Sequence, residues 1–249
     1  MDPTARFSNR VTDYVKFRPS YPEAVFDALV ARLGAELPRV AADIGSGTGI
    51  FSRGLLARGF DVHAVEPNPQ MRTEAELALG SEPRFHSGSG RAEATELPDE
   101  SVALVVAAQA FHWFDTELCR SEWRRVLMPG GIVGVVWNQR RLGSAFMASY
   151  EALLQRLEEY GRVSRWQRDE AAIVDLFGAG RFETLEVPNQ QSFDWEGLRG
   201  RVLSSSYVPK PGQPGHEELM LELRRSFDVH ARSGSVQFDY ATRLHIGRL

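Results

Sequence analysis

Cysteine is nearly absent from this chain, since Cys119 is the only one among 249 residues. A disulfide framework, a CxxC pair and a cysteine-based zinc cluster are therefore excluded, and no metal site is predicted. Cys119 lies four positions before Trp123 in a segment with helical spacing. This pattern indicates a small core residue rather than a nucleophile.

Long apolar runs are also lacking, because no stretch approaches the roughly 20 residues of a membrane span. Basic side chains from Arg6 to Arg18 follow one another without an apolar segment between them, unlike a secretory leader. The formal net charge is −4, so a concentrated basic surface is missing too. We therefore expect a cytoplasmic protein with neither a nucleic-acid nor a membrane partner.

The composition is that of a globular protein, with 43% hydrophobic and 25% charged residues. Short apolar runs alternate with helical segments, which predicts a doubly wound, mainly parallel α/β sheet. The last run, Val236 to Ile246, alternates apolar and polar residues and predicts a half-buried antiparallel strand. We expect one domain over 1–249, with a cofactor-binding core at about 36–138, a helical substrate-side cap insertion at about 139–180, and C-terminal strands and helices over 181–249.

A glycine-rich stretch, Asp43 to Gly49, follows the apolar run Val40 to Ile44 and precedes a predicted helix. Glycines at alternate positions permit positive φ and a close backbone approach, while a helix N-terminus offers unpaired N–H groups. Glu66 ends the next strand-like run, where an acid can accept hydrogen bonds from both ribose hydroxyls. A nucleotide-type cofactor is predicted to contact Asp43, Gly45, Gly47, Gly49 and Glu66.

The spacing of these glycines distinguishes between cofactors. The dinucleotide fingerprint G-x-G-x-x-G would place its third glycine at position 50, which is Ile50. The D-x-G-x-G-x-G pattern therefore disfavours NAD, and an NAD-dependent oxidoreductase is the less favoured alternative. A tight strand-to-helix turn with no ligand is a further alternative for this stretch alone.

Two other segments could complete the cofactor site. Pro67 follows Glu66, and Met71 in the next helix could lie beneath an adenine ring, although a methionine there is more often core. Ala92 and Glu93, in a turn rich in glycine and serine, could present an N–H and an acid to a purine edge. The alternative for that turn is a flexible surface loop.

The apolar run Val102 to Ala108 predicts a central buried strand. It leads into Gln109 and the aromatic cluster Phe111-His112-Trp113-Phe114. Ligands of open α/β sheets lie beyond the carboxyl ends of strands, and aromatic faces suit an adenosine and a cation. We expect Gln109 to contact the cofactor, and His112 and Trp113 to be catalytic, with a structural histidine as the alternative for His112.

Substrate contacts are predicted after the next apolar run, Ile132 to Trp137. Trp137, Asn138 and Arg140 reach the same edge of the sheet, where Arg140 and Arg141 could receive an anion or form a solvated face.

Near the N-terminus, Tyr14 and Arg18 could reach over the cofactor, Arg18 by pairing with a carboxylate, and Tyr21 could meet the substrate. A strap that packs aromatics onto the core is the equal alternative.

These motifs together resemble the small-molecule class I S-adenosylmethionine-dependent methyltransferases of the type 11 group, and are most similar to the trans-aconitate-methyltransferase-like branch. The resemblance covers almost the whole chain. It lies in Tyr14 with Arg18 to Pro22, Asp43 to Gly49, Glu66 to Asn68, Ala92-Glu93 with Leu97 to Asp99, Ala110 to Phe114, and Arg125 to Leu127 with Pro129 to Gly131.

The resemblance implies S-adenosyl-L-methionine as cofactor and a Rossmann-like, seven-stranded sheet whose last strand is antiparallel. It also implies methyl transfer by in-line displacement to a small molecule, and it favours a carboxylate. A binding module without transferase activity is the alternative. Relatives often carry Trp-Asn-x-Arg-Asp, where this chain has Arg141 in place of the acid, so the loop does not specify the acceptor.

Overall fold

The computed structural model describes residues 17–161, 170–205 and 207–249. Among them are seven strands: β1 Val40–Ile44, β2 Asp61–Val65, β3 Phe85–Gly88, β4 Val102–Ala108, β5 Leu127–Arg140, β6 Phe182–Phe193 and β7 Val236–Gly247. The helices include α1 Glu23–Leu33, α2 Ile50–Ala57, α3 Pro69–Leu79, α4 Thr116–Val126, α5 Ala145–Gln155, α6 Glu170–Phe177, α7 Trp195–Leu203 and α8 His216–His230, with a 3₁₀ turn at Phe111–Trp113.

The strands form one sheet in the order β3-β2-β1-β4-β5-β7-β6. Strands β1 to β5 pair in parallel, whereas β7 is antiparallel to both β5 and β6. The predicted α/β sheet with an antiparallel last strand is confirmed. Because β1, β2, β4 and β5 run the same way, their carboxyl ends meet at one edge, which we call the carboxyl edge.

The predicted strand Ile132 to Trp137 is longer in the structure, beginning at Leu127 and ending at Arg140. Val102 pairs with Leu127, but Leu104 pairs with Ile132, so the intervening residues of β5 bulge out of the ladder. The extension at the other end pairs Arg140 with Tyr240 of β7. This added pairing carries Arg140 beyond the predicted end of the strand, to the carboxyl edge.

Helices cover both faces of the sheet, which explains the continuous apolar runs of its central strands. One face buries Phe26, Leu29 and Leu55 from α1 and α2 against the strands. The other buries Cys119 and Trp123 of α4, and Cys119 is fully buried, as expected for a core residue.

The segment predicted to form a single helical cap divides between two places. Helix α6 packs with α4 on the sheet, where Ile173, Leu176 and Phe177 join the core. Helix α5 instead packs with α8 and β7 in a third cluster that contains Tyr150 and Phe238. Of these two helices, α5 is the one that lies next to the carboxyl end of β5, where its Glu151 accepts a hydrogen bond from Arg140.

Within the described ranges, no helix has both the length and the apolar character that crossing a membrane requires. The same residues contain no group of three or more His, Cys, Asp or Glu side chains that could hold a metal ion.

Candidate active site

The glycine turn between β1 and α2 has three left-handed residues, with φ of 67° at Gly45, 58° at Gly47 and 79° at Gly49. A Cβ at Gly45 would lie 2.7 Å from Ala110 Cβ, and one at Gly49 would lie 2.6 Å from Leu79 Cδ1. A Cβ at Gly47 would meet nothing within 4 Å. Packing therefore requires glycine at position 45, and the left-handed backbone favours it at position 49, where only the end of the Leu79 side chain would have to move. The middle glycine faces open space that a ligand can enter.

Glu66, which follows β2, is bound to this turn. Its Oε2 accepts a hydrogen bond from the Gly47 N–H over 2.9 Å, and its Oε1 accepts one from the Asn68 N–H over 2.8 Å. Burial raises the pKa of Glu66, although these two N–H groups and Arg72 act in the opposite direction. Each oxygen keeps a lone pair, so the carboxylate can still accept two hydroxyl groups.

Three buried polar atoms beside the turn have no hydrogen-bond partner among the described residues: Asp43 Oδ1, Ser46 Oγ and Thr48 Oγ1. The other oxygen of Asp43, Oδ2, accepts from the Ser52 hydroxyl over 2.7 Å. Burial raises the pKa of Asp43 to about 7. Since buried polar groups normally have partners, these orphaned atoms fit a polar cofactor that would lie against the turn.

The residues predicted near an adenine ring have different surroundings. Met71 is 5% exposed in the first turn of α3, whose N-terminus is capped by the Asn68 side chain. Ala92 is buried, and its carbonyl accepts from Trp123 Nε1 over 3.0 Å. Glu93 accepts the Asp115 N–H over 3.0 Å, so one of its oxygens holds the start of α4. Contact of Glu93 with a purine edge stays a prediction, as does that of Pro67, which links Glu66 to α3.

Gln109 has an unusual backbone for its residue type, with a φ of 61°. Its N–H donates to the Val136 carbonyl over 2.8 Å, and its Nε2 donates to the Asn138 carbonyl over 3.3 Å. A positive φ in a residue other than glycine costs energy and concentrates at functional sites. Gln109 is thereby fixed at the carboxyl edge, beside the glycine turn.

His112 lies in the 3₁₀ turn after β4, with its ring centroid 4.7 Å from that of Trp113. Its Nδ1 is buried without a hydrogen-bond partner in the described parts of the chain. Burial and the nearby charge of Arg18 lower the pKa of His112 to about 4. The imidazole is therefore neutral at pH 7, so it adds no positive charge that would repel a cationic ligand.

The rings of the aromatic cluster have different surroundings. Phe111 is 2% exposed and packs inward against Trp123 and Trp137, at centroid distances of 5.9 and 6.2 Å. Phe114 lies against Gly45, where an added Cβ would come within 3.0 Å of its ring. Trp113 is half-buried, and its ring contacts the imidazole of His112.

Two predicted substrate residues have structural partners instead. Trp137 is buried between Phe111 and His245. Asn138 donates to the Ser20 carbonyl over 3.3 Å, while its Oδ1 accepts from Asn189 and Thr242. Asn138 thus ties the N-terminal segment to the sheet, and substrate contact by these two residues stays a prediction.

Arg140 lies in a buried polar cluster rather than on a solvated face. It donates to the Tyr207 hydroxyl over 3.2 Å and to Glu151 over 3.1 Å, and also to Tyr160. By contrast, Arg141 pairs with Glu186 at the surface. Of the two adjacent arginines, only Arg140 is placed to meet an anion at the carboxyl edge.

Sequence reasoning missed Arg201 and Tyr207. Arg201 is 4% exposed on α7 and donates to the Tyr240 hydroxyl over 3.3 Å and to Ser205 Oγ over 3.2 Å. Its sequence context, Arg199-Gly200-Arg201, is typical of a solvated helix surface, so no local signal marked it. One hydrogen-bond partner of Arg201 is Tyr240 on β7, which lies 39 residues later in the chain.

The N-terminal segment crosses the same edge. Arg18 donates to the Ser204 carbonyl over 3.3 Å. Tyr21 packs edge-on against Phe51 of α2, with centroids 4.9 Å apart. Tyr14 lies outside the described residues. The roles predicted for these side chains, toward the cofactor for Tyr14 and Arg18 and toward the substrate for Tyr21, stay predictions.

Comparison with known proteins agrees with this geometry. The family model of the methyltransferase domain matches residues 42–135, from β1 into β5. An uncharacterized methyltransferase of Mycobacterium tuberculosis is 43% identical over 144 residues, which are 57% of this chain and 56% of that protein. This chain therefore matches just over half the length of that relative.

Two further similarities extend over more of the chain. An uncharacterized methyltransferase-like protein of Schizosaccharomyces pombe is 29% identical over 87% of this chain and 84% of its own length. A solved structure from Anaeromyxobacter dehalogenans, assigned to the type II methyltransferases, is 28% identical with a TM-score of 0.69. That likeness covers 93% of this chain and 98% of the solved one, so it includes the strands beyond the family match.

Proposed function

We propose, on the premise that residues 42–135 form a methyltransferase domain, that this chain transfers the methyl group of S-adenosylmethionine to a carboxylate oxygen of a small molecule. The observation that carries the cofactor part is the junction of Gly47 with the Glu66 carboxylate beside three orphaned polar atoms. That arrangement combines an open backbone approach with a fixed acceptor for ribose hydroxyls.

We assign the cofactor contacts from the residues that surround the glycine turn. Glu66 holds the ribose, and the turn at Gly45, Gly47 and Gly49 admits the nucleoside. Ala92 and Met71 border the adenine side. Gln109 lies beside the methionine part, whose carboxylate suits the Arg18 guanidinium.

The bound cofactor supplies an electrophilic methyl group, whose bond to sulfur breaks as a bond to the acceptor oxygen forms. The chain's own task is to hold that oxygen in line at about 3–3.5 Å and to exclude water. His112 and Trp113 at the carboxyl edge are placed for this positioning role. No proton has to be moved when the nucleophile is a carboxylate.

The weak basicity of His112 supports a carboxylate acceptor. An imidazole whose pKa is about 4 is a poor base for a hydroxyl or an ammonium group at neutral pH. A carboxylate is already deprotonated and needs no base. The motif resemblance to the trans-aconitate-methyltransferase-like branch also favours an acidic acceptor.

The test uses methyl-labelled S-adenosylmethionine with panels of polycarboxylates, phenols and amines. We expect label in an acid product that releases labelled methanol in alkali, because methyl esters hydrolyse there and methylated amines and phenol ethers do not. Turnover confined to phenols or amines would overturn the carboxylate assignment. Cofactor binding without turnover on any panel would favour the non-catalytic binding module.

A further inference from the structure

A cluster of buried polar side chains lies at the carboxyl edge, beyond the strand ends of β5. We call it the arginine–tyrosine cluster, and its members are Arg140 of β5, Tyr150 and Glu151 of α5, Tyr160, Arg201 of α7, and Tyr207. The guanidinium of Arg140 lies 5.6 Å from the ring centroid of Tyr150 and 5.5 Å from that of Tyr160. The rings of Tyr160 and Tyr207 have centroids 5.0 Å apart, and the charges of Arg140 and Arg201 both act on Tyr150 and Tyr207, so these side chains are neighbours.

Charge within the cluster is unbalanced, because it contains two guanidinium groups and a single carboxylate, which pairs with Arg140 alone. Glu151 accepts from Arg140 over 3.1 Å and from the Tyr160 hydroxyl over 2.7 Å. Arg201 pairs with no carboxylate anywhere in the described ranges, and it donates hydrogen bonds to the hydroxyl groups of Tyr240 and Ser205. A buried cation without an anionic partner is costly, so an anion from outside would stabilise this site.

Two atoms of the cluster also lack hydrogen-bond partners among the residues described. They are the Tyr150 hydroxyl and Arg140 Nε. Tyr150 is fully buried, whereas 16% of the Arg140 side chain is exposed, so the cluster meets solvent on the Arg140 side. The Tyr150 hydroxyl and Arg140 Nε can therefore each donate a hydrogen bond to an acceptor on a ligand.

The cluster and His112 share Arg18 as a common neighbour. Arg18 connects the two, because it donates to the Ser204 carbonyl next to α7 and its charge lowers the pKa values of both His112 and Tyr207. A molecule that presents one group beside His112 can therefore extend a second group toward Arg140 and Arg201.

We propose that the arginine–tyrosine cluster is an anion subsite that binds a non-reacting carboxylate of the methyl acceptor, with Arg201 and Arg140 as its cationic contacts. The acceptor is thus a small diacid, one carboxylate of which reacts and one of which docks. This inference rests on the proposed transfer to a carboxylate, but the subsite can be tested without turnover. Planar guanidinium groups match carboxylates in a bidentate manner, which gives the subsite its selectivity.

Tyr207 provides a signal for occupation of the subsite. Burial on its own would raise the pKa of Tyr207, but Arg140, Arg201, Ser205 and Arg18 lower it to about 8. The neighbouring hydroxyl groups of Tyr150 and Tyr160 and the Glu151 carboxylate complete its titratable surroundings. A ligand carboxylate bound among the arginines would repel the negatively charged phenolate of Tyr207 and raise the pKa of Tyr207.

The experiment follows tyrosinate absorbance of the full chain during a pH titration with succinate or its neutral diamide, succinamide. We expect one tyrosine to ionise near pH 8 and this step to vanish in Tyr207→Phe. Succinate should shift the step upward by about one pH unit, whereas succinamide should leave it in place. Equal effects of the two probes, or a response to inorganic phosphate but not to succinate, would overturn the diacid subsite.

Variants locate the effect within the cluster. Arg201→Met should abolish the succinate shift, Arg201→Lys should keep part of it, and the surface control Arg141→Met should keep all of it. If Arg201→Met does not fold, Tyr150→Phe replaces it as the test and should weaken the apparent succinate affinity severalfold. A full shift that persists in folded Arg201→Met, or in Tyr150→Phe where that variant replaces it, contradicts the proposal. A succinate shift without methyl transfer to any acid would refute the proposed function and leave the subsite intact.

Discussion

The Gly47 N–H donates to Glu66 Oε2 over 2.9 Å, so the loop after β1 and the loop after β2 are joined at their tips. The Asn68 N–H fixes the other oxygen. The carboxylate that we propose to bind the ribose is therefore oriented by the backbone before any ligand arrives. Such preorganisation lowers the free energy that binding would otherwise spend on ordering the site.

Replacing Glu66 should abolish cofactor binding with only a moderate loss of stability. Glu66→Ala removes two charge-assisted hydrogen bonds to the ligand, each worth roughly 1.5–3 kcal/mol, and strands the two backbone N–H groups. Calorimetry with S-adenosylmethionine measures the first effect and urea unfolding the second. Glu36→Ala, at an exposed loop position, is the matched control. Unchanged affinity in Glu66→Ala would refute the ribose assignment.

Alanine at Gly45 and at Gly47 should have different effects. Both positions have positive φ, which costs alanine about 1–2 kcal/mol. Gly45→Ala adds a clash with Ala110 and should lower the free energy of unfolding much more. Gly47→Ala has open space and should mainly weaken cofactor binding. Urea unfolding and calorimetry on both variants separate these outcomes, and equal destabilisation of the two would contradict the packing argument.

Local patterns in the sequence predicted the fold because they depend on neighbouring residues. The run Val102 to Ala108 is a strand with those bounds, and Asp115 and Asp194 cap the helices they precede. The alternation after Val236 likewise marked the antiparallel strand β7. In each case the residues that determine the strand or the helix end lie within about a dozen positions of one another.

Roles that depend on distant partners could not be predicted in this way. Asn138 follows a strand next to a crevice, but its carboxamide binds the carbonyl of Ser20, 118 positions earlier. Arg201 has the local context of a solvated helix and yet is buried beside Tyr240, 39 positions later. The sequence also gives no sign that the environment of His112 lowers its pKa, because burial and Arg18 are tertiary effects.

Asp43 should make stability fall as pH rises through the weakly acidic range. Its pKa is raised from 3.8 to about 7 by burial, so between these values the folded chain holds a proton that the unfolded chain has lost. The free energy of unfolding therefore decreases with pH in this window, at about 1.4 kcal/mol per pH unit.

His112 contributes the opposite slope, because its pKa is lowered from 6.5 to about 4 and the unfolded chain binds the extra proton between these values. The wild-type curve therefore mixes both effects, and the difference from Asp43→Asn isolates the carboxyl group. Urea unfolding at several pH values should show Asp43→Asn close to wild type near pH 4 and more stable than wild type at pH 8. A difference that does not depend on pH would contradict the buried, raised pKa of Asp43.

The rate of methyl transfer should not change with the protonation of His112 between pH 5.5 and 8.5. The pKa of His112 is lowered from 6.5 to about 4, so the ring stays neutral throughout neutral pH. With saturating cofactor and a carboxylate acceptor, His112→Ala should lower kcat roughly tenfold through lost positioning. Because no proton is transferred, the shape of the profile between pH 5.5 and 8.5, measured at roughly half-unit steps, should match wild type.

The control His86→Ala, at an exposed position on β3, should change neither rate nor shape. If wild-type activity instead rises with a pKa near 6.5 and His112→Ala loses that rise, His112 acts as a base, and the acceptor is a hydroxyl or an amine rather than a carboxylate.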